Sequence, residues 1–549
     1  MTSREILMLV AARANVARIR QLGTARDQSA RTRVLEGFAS ELQALESGPE
    51  YDQLLAFLRR QLYLSPIDDV RESLVALFDE LEIPSLPPEP TRWEPSDLPD
   101  IGSSDLAWLS KLCSSTGRLS HLDVLLTLQP ELGKRLADSM EALMTSEGPL
   151  PVTWRHFIAI MGASRYSCEY LVAQQTELFL LHGGELSWLE RPFNGLPKKL
   201  RVLSQINGKL AHAPWTLDPS DLEGLGVEGK WSASELAQML AILATFHTLP
   251  CVVFALGVSP ESDSGIGNWF MSEPDWNQDE PLPACFSDPS KNSIIARLAS
   301  RGSFTSTSSA ISYQEACPSP APPASFAAFD GFGVLSDKPG SGARSPLPGN
   351  SLSTARSSFM SGTEKEDLQS VMSAAPKWYS PISDCFRFGD HSSYEDIKVR
   401  DDRVLHSVNF SWEDHGMVIL SQSLGNAAER ISEEYAFALE FTNGKIGDIP
   451  VDTRPVRDAL AKYVQRMFGV CHDDYPYDQL NKVLPLMHKV FLKKLACYPE
   501  RIVKADYWRM RSAEGLTRQD IAHYAIIVFQ TRRVIELTFA TMALAKMLV

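Results

Sequence analysis

Apolar residues recur at helical spacing along most of this chain, and the first clear case lies near its start. Val70, Leu74, Leu77, Phe78 and Leu81 fall on one face of a helix. Ser65-Pro66 precedes them, which predicts a serine N-cap, proline at the first helical position and Asp68 in the first turn. Pro84, Pro87, Pro88 and Pro90 then end the pattern. Residues 1–95 thus read as a helical extension closed by a Pro-rich connector. A second helical block spans 98–258. Within it a helix begins at Thr153-Trp154 and pauses near Gly162, and the next resumes near Tyr166 and closes at Gly183-Gly184. A third block spans 377–549. Strand signals are sparse, so the expected fold class is all-α.

Composition changes this picture in one place. Between Arg301 and Asn350, 23 of 50 residues are Ser, Pro or Gly and only six are charged. Such a stretch cannot bury enough apolar surface to offset its ordering entropy, so 259–376 is expected to be a disordered linker. Elsewhere the chain is ordinary: 549 residues, 44% hydrophobic and 22% charged.

Charge and cysteine usage narrow the function classes. With 53 Lys+Arg against 68 Asp+Glu, the net charge is −15, which argues against a nucleic-acid or anionic-membrane coat. No apolar run approaches the roughly 18 residues a transmembrane helix needs, so no membrane insertion is expected. Eight cysteines without a C-x-x-C pair fit neither a disulfide scaffold nor a zinc module and imply a reducing compartment. Residues 1–35 carry seven arginines against two acids, as in a mitochondrial transit peptide. Glu5 and Asp27 favour an ordinary basic surface helix instead. The expected location is the cytoplasm, with the nucleus as a second compartment.

Several catalytic signatures are missing. There is no H-E-x-x-H and no G-x-S-x-G, and the histidines lack ligand spacing, so no metal or cofactor is expected. Gly224 to Lys230 fits most of a P-loop, but Trp231 stands where a hydroxyl must bind magnesium. Cys168 lies near a predicted helix start, where the helix dipole favours the nucleophilic thiolate. A lone helical cysteine is, on composition, more often a small buried core residue.

Several longer blocks run in order: Trp154-Arg-His-Phe-Ile-Ala-Ile-Met161, Cys168-x-Tyr170-Leu-Val, Leu210-Ala-His-x-Pro-Trp215 and Trp231-Ser232. Trp412-Glu-Asp-His-Gly416, Phe468-Gly-Val-Cys-His-Asp-Asp-Tyr-Pro-Tyr477 and Ala496-Cys-Tyr-Pro-Glu500 follow in the C-terminal block. Together they resemble the sestrins, stress-induced regulators of TOR signalling. The resemblance implies two helical halves, each like the alkylhydroperoxidase AhpD and related by a pseudo-two-fold. It implies a leucine sensor that negatively regulates TOR complex 1 by binding the GATOR complex. It also implies a second activity, a thiol-dependent alkyl hydroperoxide reductase. Cys168 and Tyr170 match the family's catalytic cysteine and tyrosine, whereas its relay histidine is Gln175 here. Glutamine cannot exchange a proton near neutral pH, so a structural or redox-sensing thiol is the favoured role.

For the ligand site, Arg457 matches the arginine that holds the leucine carboxylate, and Thr453 the threonine that latches a lid. Asp520 matches the glutamate that receives the ammonium, with His523 in register. Thr442, Val456 and Trp508 are further expected ligand contacts, Trp508 as the pocket floor. The family's Thr-Tyr-Asn-Thr lid reads Phe441-Thr-Asn-Gly444, so a related apolar amino acid is a second candidate ligand, and a ligand-independent GATOR scaffold a third reading. Read without the resemblance, Arg457 is a surface charge and Thr517 to Asp520 a helix capping box. Asp473 and Asp474 match the acidic pair through which sestrins contact GATOR, and Ser232 a second contact. Their plain alternative is a solvated loop.

Overall fold

The computed structural model describes residues 22, 25, 27–45, 47–94, 98–100, 103, 106–190, 195–261, 263, 399 and 403–548. The basic start of the chain, the linker beyond Asp263 and most of residues 377–402 lie outside the described residues.

The extension consists of α1 (Gln28–Leu45), α2 (Pro49–Leu64) and α3 (Asp68–Glu80). Their apolar faces close a cluster of their own around Phe38, Phe57, Leu58, Val70, Leu74 and Phe78. α3 starts two residues later than Ser65-Pro66 suggests. The Ser65 backbone N–H still donates to Gln61 O in α2, and its hydroxyl accepts the Ile67 N–H at 3.3 Å, so it turns the chain between two helices. Arg60 of α2 reaches out of this cluster to Asp263 and Glu261, a buried ion-paired seam with the remainder.

Seven further helices frame the site: α4 (Pro130–Met144), α5 (Val152–Ser164), α6 (Glu169–Leu181), α7 (Ala233–Thr248), α8 (Asn426–Glu440), α9 (Arg454–Met467) and α10 (Arg518–Leu548). The all-α expectation holds. Among the described residues the strands are two-residue pairs: β1 (Leu405–His406) parallel to β4 (Val470–Cys471), and β2 (Lys445–Ile446) antiparallel to β3 (Ile449–Pro450). One apolar core runs from Phe157, Leu240 and Phe246 through to Ile431, Leu460 and Phe529. The described residues of blocks 98–258 and 377–549 therefore share a single interior.

Gly162 does not interrupt α5. A Cβ there would lie 3.0 Å from the Cβ of Phe246, so the glycine lets α5 and α7 approach closely. The end of α6 follows expectation: Gly183 takes φ +86° and Gly184 N–H donates to Phe179 O at 2.8 Å. The P-loop-like stretch is the helix Pro219–Gly229, not a phosphate-binding loop.

One expectation is corrected. Ala233–Leu256 is long and apolar enough to cross a membrane, a run disguised in the sequence by Glu235, His247 and Pro250. Its most apolar window is wholly buried in the protein core. Glu235 completes a capping box with Ser232, and His247 enters a buried polar network.

That network ties α7 to α10, the 31-residue helix on which α7, α8 and α9 all pack. Arg532 donates to Glu536 at 2.6 Å and to Ala211 O at 2.9 Å. His247 bridges Glu536 at 2.8 Å and Asn207 at 2.7 Å. Arg533 meets Glu434 at 2.7 Å, and Ser139 of α4 donates to the same carboxylate at 2.6 Å. Charges this deep cost several kcal/mol each to desolvate unless paired, so partners from both blocks must be in place together.

Candidate functional site

The strongest concentration of sequence-predicted residues lies where α9 and α10 begin. Pro455 sits in the first turn of α9, and Thr453 occupies its N-cap position. One turn on, Val456 and Arg457 point into the interior, each at most 5% exposed. α10 opens with the capping box: the Asp520 N–H donates to Thr517 Oγ at 3.1 Å, and the Thr517 N–H to Asp520 Oδ2 at 2.8 Å. The helical spacing places Asp520, His523, Tyr524 and Ile527 on one face. All four line a single cavity with Thr453, Val456 and Arg457.

The electrostatics of this cavity are unusual. Arg457 donates through Nε to Leu439 O at 2.6 Å and through Nη2 to Glu440 O at 3.3 Å, while Nη1 bonds Thr453 Oγ1. Those carbonyls are the last of α8, so the guanidinium also caps that helix. No carboxylate pairs with Arg457 among the described residues, and burial pushes its pKa below the usual range. Asp520 is 7% exposed. Its Oδ2 accepts from Thr517 and, at 2.9 Å, from the Gly447 N–H; its Oδ1 carries no hydrogen bond among the described residues. His523 donates its Nε2–H to Ala438 O, 3.0 Å away, and burial drops its pKa to about 4, so it is neutral at pH 7.

A lid closes the cavity. Thr442 Oγ1 lies 2.8 Å from Thr453 Oγ1, and the β2–β3 hairpin folds over through Gly447, at φ +59°. A Cβ at Gly447 would meet Gly515 O at 2.5 Å, so only glycine allows this approach. The cavity beneath is about 20 Å³, whereas a cavity that admits benzene is about 150 Å³. A ligand as large as an amino acid therefore requires the lid to move outward.

Two expected contacts do not line the cavity: Thr442 reaches it only through its bond to Thr453, and Trp508 is not brought here. Trp508 is 39% exposed. The floor is formed instead by Ile527 and Tyr524, whose buried phenolic oxygen has no hydrogen-bond partner among the described residues. Asn443, Lys445 and Ile446 of the lid complete the lining. The helical repeat from Asp520 could have indicated Tyr524 and Ile527. Nothing in the sequence pattern marks Lys445.

Cys168 occupies the N-cap position of α6, as the sequence suggests, but it is fully buried. Burial pushes its thiol up to about 12, outweighing the lowering effects of backbone hydrogen bonding and Arg92. The thiol is therefore protonated at neutral pH. Tyr170 is committed elsewhere: its hydroxyl donates to Glu261 at 2.8 Å and accepts the Leu122 N–H at 3.1 Å. Gln175 is buried, with Oε1 2.8 Å from His156 Nδ1. Among the described residues no group offsets the burial of Cys168 enough to form the thiolate near neutral pH.

The three expected partner-contact residues lie at the surface. Asp473 and Asp474 are exposed, Asp473 accepting from His406 at 2.8 Å. Ser232 is exposed too, and its side chain caps α7.

An all-helical protein with a lidded, charge-lined cavity at the start of two core helices is the class that this geometry defines. Residues 100–548 match the family model of the PA26 p53-induced protein, or sestrin. Mouse sestrin-3 is 29% identical over 459 residues, covering 79% of this chain and 86% of that protein. Human sestrin-2 is 29% identical over 450 residues, covering 79% and 85%. Crab-eating macaque (Macaca fascicularis) sestrin-1 is 27% identical over 474 residues, covering 83% and 90%. The chain belongs to the sestrin family.

Proposed function

We propose that this sestrin is an intracellular sensor of free leucine, or of a closely related apolar amino acid, which restrains TOR complex 1 by binding GATOR. The supporting observation is the cavity's split charge. A buried guanidinium without a carboxylate faces the same space as a carboxylate with one uncommitted oxygen. An amino acid is a zwitterion, and its two ends match these groups by charge-assisted hydrogen bonds. Its side chain would lie against Val456, Ile446 and Ile527.

The route from ligand to partner is short. α9 carries Arg457 in its first turns, and its end leads through Phe468 and β4 directly to Asp473 and Asp474. A ligand that binds better to one lid state would shift the population presenting that acidic surface to GATOR. The buried, protonated Cys168 supports the sensor over the hydroperoxide reductase.

Leucine calorimetry on the wild type and Arg457→Ala tests the ligand half. Saturable heat in the wild type alone is expected; flat traces for both folded proteins would leave a ligand-independent GATOR scaffold. Asp473→Ala/Asp474→Ala should lose co-precipitation with GATOR, and unchanged capture would remove the acidic pair from the contact.

A further inference from the structure

Two segments far apart in sequence meet at the short ladder of β1 and β4. His406 and Cys471 are register partners in this parallel pair, so their side chains share a face. β4 ends at Cys471, and the turn that follows carries Asp473 back beside the same pair of residues. A ring nitrogen of His406, the sulfur of Cys471 and a carboxylate oxygen of Asp473 all lie within 4.8 Å of one another. His406 Nδ1 and Asp473 Oδ1 are 2.8 Å apart. Cys471 is a free, partly exposed thiol, in hydrogen-bond contact with the Tyr477 hydroxyl, which in turn accepts the His472 N–H at 3.1 Å.

We propose that His406, Cys471 and Asp473 form a Zn²⁺ site, with water in the fourth position. The donor set of one imidazole, one thiolate and one carboxylate suits zinc, and it is too soft for Ca²⁺ or Mg²⁺. Tetrahedral bonds of zinc length separate nitrogen and oxygen donors by about 3.3 Å, so His406 and Asp473 need to part only slightly. Both side chains are nearly half exposed, at 44% and 47%, which opens a path from solvent. Binding releases the thiol proton of Cys471 to solvent and moves the His406 proton from Nδ1 to Nε2, leaving Nδ1 free to ligate, and no oxidation state changes. The Tyr477 hydroxyl would hold the sulfur through this same contact, as outer-shell groups do. The ion would fasten the segment bearing Asp473 and Asp474 to β1. The sequence hides this site because His406 stands 65 positions before Cys471. Only the ladder brings them together.

The test uses full-length protein freed of metal and titrated with Co²⁺, whose thiolate charge-transfer and d–d bands report a tetrahedral sulfur site. The wild type should give a saturable band that Zn²⁺ abolishes. Cys471→Ser should lose the charge-transfer band. His406→Ala and Asp473→Asn should weaken Co²⁺ binding beyond the roughly 10–100-fold seen for outer-shell changes. All three positions are on the surface, and unchanged circular dichroism would confirm intact variants. No band in the wild type, or one that persists in Cys471→Ser, overturns the proposal. So would three variants binding Co²⁺ as the wild type does.

Discussion

Arg457 and Asp520 line one cavity without pairing with each other. Arg457 spends donors on the end of α8 and on Thr453, and Asp520 spends one oxygen on its own helix start and on Gly447. Both plain sequence readings are thus half right: Asp520 is a capping residue, and Arg457 is a structural cation, though a buried one. What they leave unsatisfied is a net cation and a free carboxylate oxygen held apart, which suits a dipolar ligand.

The two functions of Asp520 can be separated. Asp520→Asn keeps an acceptor for the Thr517 and Gly447 N–H groups, so its melting temperature should stay close to wild type. It loses the negative charge, and a hydrogen bond to a charged group contributes about 1.5–3 kcal/mol, or roughly 10–150-fold in leucine affinity. Asp520→Ala should lose both, with about 0.5–2 kcal/mol of stability from the cap. Calorimetry and thermal melts read the two effects independently. Wild-type leucine affinity in Asp520→Asn would reduce this residue to a cap.

Tyr524 presents a different case. A buried hydroxyl without a partner costs about 1–3 kcal/mol, and Tyr524→Phe removes it while leaving the ring against His488. The variant should melt at a higher temperature than the wild type. A lower melting temperature would show that the hydroxyl is bonded in solution, for instance to a buried water.

The lid latch should act on rates. Thr453→Val removes both the Thr442 bond and an acceptor for Arg457. Leucine should then dissociate faster, while association changes less, because a lid retains ligand rather than attracting it. Stopped-flow displacement measures this, and an unchanged dissociation rate would exclude the latch.

Much of this was legible in the sequence, and the gaps have physical causes. The α3 face, the α6 glycine cap and the Thr517 capping box rest on local spacing, so they survive folding intact. Gly162 looked like a break because its reason is a neighbour: Phe246, 84 positions later, needs the space. Arg457, Thr453 and Asp520, which share one cavity, were singled out by family resemblance alone, since a lone arginine on a helix has no local mark of burial. Trp508 lies outside the cavity lining, and the resemblance gave no register across the segment before α10. Gln175 and Tyr170 were placed in the right segment, but their partners, His156 and Glu261, are long-range contacts invisible to any periodicity.

The Cys168 thiol should be inert. With its pKa pushed up to about 12 and its side chain fully buried, almost none is thiolate at pH 7. Native protein should consume cumene hydroperoxide no faster than a thiol-only control, and mass spectrometry after brief alkylation should find Cys168 unmodified while Cys471 reacts. Turnover that Cys168→Ser abolishes would restore the enzyme reading.

Acid should destabilise the fold through histidines held neutral. Burial drops His156 and His523 to about 4, against about 6.5 when unfolded. Between those values the unfolded chain binds the extra protons, so stability is full above pH 6.5 and falls as the pH approaches 4. For His156 alone the loss at pH 5 is about 2 kcal/mol. Glu169 and Asp123 oppose this, since burial raises them to about 7 and about 6 and their protonation favours the folded state as pH falls. A variant isolates the histidine contribution from that opposing one. His156→Gln removes the titrating ring, so its stability should fall less than that of the wild type between pH 7 and pH 5, by about 2 kcal/mol in denaturant titrations. Equal pH slopes for the two proteins would show that His156 is not held neutral in the folded state.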